Sequence, residues 1–335
     1  MKLIYKKLSI YIFVVMLVLF VFAGDRCFGS DLEGWPAQVK QIEYISSADS
    51  TFQPALFYKP QSEKKAPLLV ALHTWSGDYT QKMSVPYAEW CIENKWVFIH
   101  PDFRGPNKRP EATGSDKAVK DILSAVDYAV SKADVDCQRI YLVGCSGGGY
   151  SALLMAGRAT DIWAGVSAWV PISDLQAWYF ECKKAGRGYA EDIFKSCGGA
   201  PGTSFAVDFE YKSRSPITYL SGNLNLPLDI NTGIKDGHTG SVAVSHSLRA
   251  FNLAASKDDR ICEKDIRYFV EKAKVPAHLK KQVTDTGYGD KRVLFRKSSG
   301  NTRITIFDGG HEIVYGAALT WLSKQKKCPD AKAKK

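Results

Sequence analysis

Along this chain, short unbroken apolar runs alternate with stretches in which apolar residues recur every third or fourth position. Residues 67–72, Pro-Leu-Leu-Val-Ala-Leu, contain no polar side chain, the pattern of a strand buried on both faces. Residues 140–145 repeat it, and 96–100, 163–172, 227–234 and 302–307 predict further strands. Between them Val119, Ile122, Leu123, Val126 and Val130 stripe residues 116–132 at helical spacing, and Val244, Leu248, Phe251 and Ala255 stripe a later segment. Helical stretches are also expected over 87–94, directly after residue 149, and near 315–322. Ahead of the first buried strand, residues 41–46 and 53–59 read as a β-hairpin around Ala48-Asp49-Ser50. Strands that alternate with helices predict an α/β fold, with a mostly parallel sheet covered by helices on both faces.

Two segments break the alternation. Residues 174–225 mix aromatic, glycine and lysine positions and are too long for a connection, so an inserted cap is expected after the sixth strand. Residues 257–300 form a second, charged insertion. The globular domain is expected over 40–323, with a lysine-rich tail over 324–335.

The run 140–145 ends in Gly144-Cys145-Ser146-Gly147-Gly148 and passes directly into Tyr150-Ser151-Ala152-Leu153-Leu154. A Gly-x-Ser-x-Gly between a strand and a helix predicts a nucleophile elbow, a turn so sharp that its neighbours must lack bulky side chains. The turn aims the Gly147 amide and the positive end of the helix at the place where an oxyanion forms. A serine hydroxyl needs a base. His311 follows the last predicted strand, and Asp236 follows the strand 227–234, so Ser146, Asp236 and His311 stand in the chain order associated with this elbow. Asp174 is the rival acid, while His73, His100, His238, His246 and His278 are less well placed as the base. The second oxyanion donor is expected from the loop after residue 72, at Trp75, or at Thr74 or Ser76. Trp169 and Trp178 flank the cap as candidate substrate-wall residues.

Composition changes the picture mainly at the N-terminus. Lys2, Lys6 and Lys7 precede an almost uninterrupted apolar run over 8–23, so residues 1–29 read as a secretory signal and the protein as secreted or periplasmic. The run nearly suffices to span a bilayer, which leaves an uncleaved membrane anchor as the alternative. The formal charge of +10 is diffuse, with no arginine–aromatic patch, and nucleic acid is not expected as a partner. Among eight cysteines there is no Cys-x-x-Cys, and neither a metal nor a cofactor is expected. Cys182 and Cys197 bracket part of the cap that reads as poor in apolar residues, and export makes a disulfide between them the expectation.

The residues that carry this chemistry resemble the serine α/β-hydrolases, in particular the catalytic domain of the prolyl oligopeptidase (S9) family and related acetyl xylan esterase-like enzymes. The resemblance spans about 68–322. It rests on Val135-Asp136 ahead of Arg139-Ile140-Tyr141-Leu142-Val143-Gly144-Cys145-Ser146-Gly147-Gly148, on Ser215-Pro216, on Gly233-Ile234-Lys235-Asp236 with Val242, and on Gly310-His311-Glu312. It implies Ser146 as nucleophile, Asp236 as acid and His311 as base. The sequence departs from the family in having Thr74 where His-Gly is usual and Ala243 where proline commonly follows the valine. The oligopeptidases of the family carry a large N-terminal propeller, whereas a short stretch precedes residue 66 here. An exported hydrolase of small acyl esters, carbohydrate esters included, is therefore expected. An S9-like peptidase and a non-catalytic ligand-binding protein are the alternatives.

Overall fold

The computed structural model describes residues 32–62, 64–221 and 224–327. The signal or anchor expected over 1–29, the end of the basic tail, Cys27 and Cys328 lie outside the described residues. Among the described residues no helix is long and apolar enough to cross a membrane.

Nine strands form one sheet: β1 (Lys40–Ile45), β2 (Phe52–Tyr58), β3 (Ala66–Leu72), β4 (Val97–Pro101), β5 (Val135–Cys145), β6 (Gly165–Trp169), β7 (Leu228–Gly233), β8 (Val293–Ser299) and β9 (Thr302–Phe307). Their spatial order is β1-β2-β4-β3-β5-β6-β7-β9-β8. The pairs from β4 to β9 are parallel, and antiparallel β1, β2 and β8 finish the two sides.

The unbroken apolar run of β3 is explained by its two neighbours above and below. Leu68, Val70 and Leu72 pack with α2 (Asp116–Lys132), α3 (Gly147–Arg158) and α7 (Ser245–Ala254). Leu69 and Ala71 pack on the other face with α1 (Val85–Asn94) and α9 (Tyr315–Ser323). This is an α/β-hydrolase architecture, with helices on both faces of a mostly parallel sheet.

The 174–225 segment folds as α4 (Leu175–Lys184), α5 (Tyr189–Cys197) and α6 (Phe205–Arg214). Its aromatic residues make a core of their own: Leu175, Trp178, Tyr179, Ile193 and Tyr211 cluster with Trp75 and Tyr150 of the main body. The disulfide expected there does not form. Cys182 and Cys197 are free, buried thiols that belong to this cluster, and burial pushes both up to about 12. The segment is held by apolar packing and needs no covalent staple. The 257–300 insertion is likewise more regular than its charge suggests, containing α8 (Glu263–Lys272) and the edge strand β8, joined to β9 by a tight turn that pairs Ser299 with Thr302.

Candidate active site

Three strand ends bring the site together. β5, β7 and β9 run parallel, separated only by β6, so the loops leaving their carboxyl ends converge on one rim of the sheet. Ser146 directly follows β5 and sits at φ 58°, ψ −118°, a left-handed backbone rarely adopted by a residue with a side chain. Its amide donates to the Trp169 carbonyl at 2.9 Å, which leaves the Gly147 amide to begin α3.

The glycines of this turn are required by contact. A Cβ on Gly144 would lie 2.2 Å from the Gly148 carbonyl oxygen, and one on Gly148 would lie 2.3 Å from that of Leu72. A Cβ on Gly147 would lie 2.2 Å from the Trp75 backbone nitrogen. The loop after β3 therefore presses its Trp75 amide against the start of α3. Of the alternatives, the Thr74 amide donates to Gln81 Oε1 at 3.1 Å and is already committed.

His311 lies on the loop after β9. Its Nδ1 is 2.8 Å from Asp236 Oδ2 and its Nε2 is 2.8 Å from Ser146 Oγ. A carboxylate facing Nδ1 places the proton there, so Nε2 presents a lone pair to the serine hydroxyl. Asp236 is buried, and its other oxygen accepts from the amides of Gly237 at 2.9 Å and Val242 at 3.2 Å. These two amides fix the plane of the carboxylate. Glu312 braces the histidine loop, accepting from the Gly310 amide at 3.0 Å and pairing with Lys291. Burial works against its charge, but the Gly310 amide and Lys291 hold it below the ordinary glutamate range.

The competing residues are otherwise engaged. Asp174 caps α4, accepting from the amides of Gln176 and Ala177. His73 is fully buried and stacks on Phe103, with both ring nitrogens facing carbonyl oxygens. His100 is buried, His238 faces the Val270 carbonyl, His246 pairs with Glu181, and His278 pairs with Asp265.

The tryptophan expectations need correction. Trp169 is fully buried on β6, donates to Ser167 Oγ at 2.9 Å and packs on Tyr288 and Phe307, so it is a core residue with no surface for substrate. Trp178 lies at the base of the cap but is also buried, set edge-on against Trp75 and stacked with Tyr189.

Several residues at the site carried no signal in the sequence. Ser241 Oγ lies 3.5 Å from His311 Nε2. Gly240 sits so close beneath the site that a Cβ would reach 2.2 Å from Asp236 Oδ1 and 2.5 Å from the His311 Cβ. Gln81, which anchors Thr74, and Arg187, which donates to the carbonyls of Gly240 and Ser241, belong to no motif.

Known proteins similar to this chain share its fold and, in part, its sequence. A Salmonella typhi protein described as "Uncharacterized protein YfhR" is 27% identical over 128 residues, 37% of this chain and 42% of the relative. Among solved structures, the acylaminoacyl peptidase of Pyrococcus horikoshii superposes with a TM-score of 0.58 at 16% identity, over 88% of this chain and 42% of that one. Oligopeptidase B of Leishmania major gives 0.54 at 12% identity, over 85% of this chain and 35% of that one. The chain thus spans well under half the length of these relatives, and the structural likeness is one of fold. The model of the prolyl oligopeptidase family matches residues 88–261, a span that holds Ser146 and Asp236 and ends before His311. With more than half of its residues inside that match, the chain belongs to the prolyl oligopeptidase family.

Proposed function

We propose that Ser146 is the nucleophile of an acyl-enzyme mechanism, with His311 as base and Asp236 as its orienting acid. The observation that carries this reading is the bridge His311 makes, 2.8 Å to the serine hydroxyl on one side and 2.8 Å to the carboxylate on the other. Ser146 Oγ adds to the substrate carbonyl carbon while its proton passes to His311 Nε2. The charge that develops on the carbonyl oxygen is held by the amides of Gly147 and Trp75. Collapse breaks the bond to the leaving group, which takes the proton from His311. Water, deprotonated by His311, then adds to the acyl-serine, and collapse of that adduct releases the acid and restores the hydroxyl.

The substrates we assign are small acyl esters, acylated sugars among them. An alkoxide leaves with less help from a proton donor than an amine does. Arg187 and Trp178 fasten the cap to the Gly240-Ser241 loop beside the triad, which favours a compact substrate. Peptide hydrolysis is the second reading, favoured by the family itself and by the peptide-derived chloromethyl ketone bound to a related acylaminoacyl peptidase. Export follows from Lys2, Lys6 and Lys7 ahead of the apolar run 8–23, and a mature chain beginning near residue 30 would support it.

Ser146→Ala is expected to abolish both turnover and labelling by a serine-directed phosphonate, and turnover retained at the wild-type level refutes the mechanism. A folded wild-type protein that takes up no phosphonate supports a ligand-binding protein instead. A panel of acyl esters, acetylated sugars and short peptides decides the substrate class, and a higher kcat/KM for any peptide than for every ester overturns the ester assignment.

A further inference from the structure

The cap holds the loop that carries the acid. Arg187, in the turn between α4 and α5, donates from Nη1 to the Ser241 carbonyl at 3.1 Å and from Nη2 to the Gly240 carbonyl at 2.7 Å. Trp178 Nε1 donates to the same Ser241 carbonyl at 2.9 Å. Both acceptors belong to the stretch between Asp236 and α7. Within that stretch the Gly237 and Val242 amides grip the Asp236 carboxylate, Gly240 packs against both Asp236 and His311, and Ser241 Oγ approaches His311 Nε2. A guanidinium fork across two consecutive carbonyls fixes position and direction together.

From this chain of contacts we infer that Arg187 is a positioning residue, through which seating of the cap sets the geometry of Asp236 and His311. This inference rests on the triad reading above. If the cap lifts, all three donors leave the two carbonyls, and the loop loses the side-chain contacts that fix it. The Asp236–His311 hydrogen bond then has no fixed frame, and the histidine loses its orientation toward Ser146. Access to the site and competence of the triad are thereby tied to one structural event, and Trp178 contributes to it through its indole N–H.

The test uses the full chain with Arg187→Ala, Arg187→Lys and Trp178→Phe. Arg187→Ala is expected to lower kcat and the rate of phosphonate labelling by about 10- to 100-fold, the scale on which misplacement of a catalytic group acts. Arg187→Lys, which offers one compact charge in place of the fork, should recover only part of this. Millimolar guanidinium ion should restore much of the labelling rate of Arg187→Ala and leave wild type unchanged, a rescue that a purely structural role would not give. Trp178→Phe and Arg187→Ala, which share the Ser241 acceptor, should combine non-additively. A folded Arg187→Ala protein with wild-type kcat and labelling rate overturns the inference. So does a loss that guanidinium does not rescue and that tracks only a fall in melting temperature. Failure of wild type itself to label would instead remove the triad reading on which the inference stands.

Discussion

Gly147 illustrates how little freedom single positions have around the serine. The site a Cβ would occupy lies 2.2 Å from the Trp75 nitrogen, and both groups are backbone, so neither can swing aside. Gly147→Ala must push the β3 loop away from α3 and with it the amide proposed to share the oxyanion. We expect kcat to fall about 100-fold, the cost of one lost oxyanion donor, and stability to fall by about 1–3 kcal/mol from overpacking. Steady-state kinetics and urea unfolding of the same variant measure the two effects separately. This residue was legible in the sequence because a sharp turn demands small neighbours locally. Trp169 was not, because its place in the core depends on Tyr288 and Phe307, which lie far along the chain.

At the scale of elements, the helix α2 shows both what apolar spacing tells and what it hides. Val119, Ile122 and Val126 fixed its length and inner face, yet Asp121 on the same helix is completely buried. It meets Arg104, whose Nε lies 2.6 Å from Asp121 Oδ2 and whose Nη1 lies 2.9 Å from Asp49 Oδ2, and it also accepts from Ser46. The network fastens the β1–β2 hairpin to the helix layer. Asp121→Asn removes one of the two carboxylates that pair with Arg104 and leaves Asp49 alone to balance its charge, which should cost about 1–3 kcal/mol in urea unfolding. No periodicity can announce such a pair, since each member looks like a surface charge alone. The same blindness concealed β8, whose Arg296, Lys297, Ser298 and Ser299 fell within the charged insertion expected over 257–300, although charged residues suit a strand at the open edge of a sheet.

For the whole molecule, the parallel sheet and the convergence of three strand ends were readable because each parallel strand announced itself as an apolar run and such runs alternate with helices. The fastening of the cap was not, because it depends on a guanidinium meeting two carbonyls more than 50 residues away. Acid tests a different global property. Burial pushes His100 down to about 3, and burial also lowers His73. Between a free histidine's value and these, the unfolded chain binds protons that the folded chain does not. Stability is therefore complete above about pH 6.5 and declines as pH falls, with each histidine adding up to about 1.4 kcal/mol per pH unit. His100→Gln should flatten the dependence of the urea midpoint on pH between 6 and 4, and an unchanged slope would refute this assignment.

The unpaired thiols also make the molecule convenient to instrument. Of the six described cysteines, Cys91, Cys145, Cys182 and Cys197 are buried, while Cys137 and Cys262 are exposed, the first within β5 and the second just ahead of α8. Among the described thiols, a maleimide dye or spin label should therefore react first at these two surface positions and leave both the cap and the elbow unmodified. Pairing a probe at Cys262 with one introduced on the outer face of α5 would make the seating of the cap directly observable as a distance, in the working enzyme and in real time.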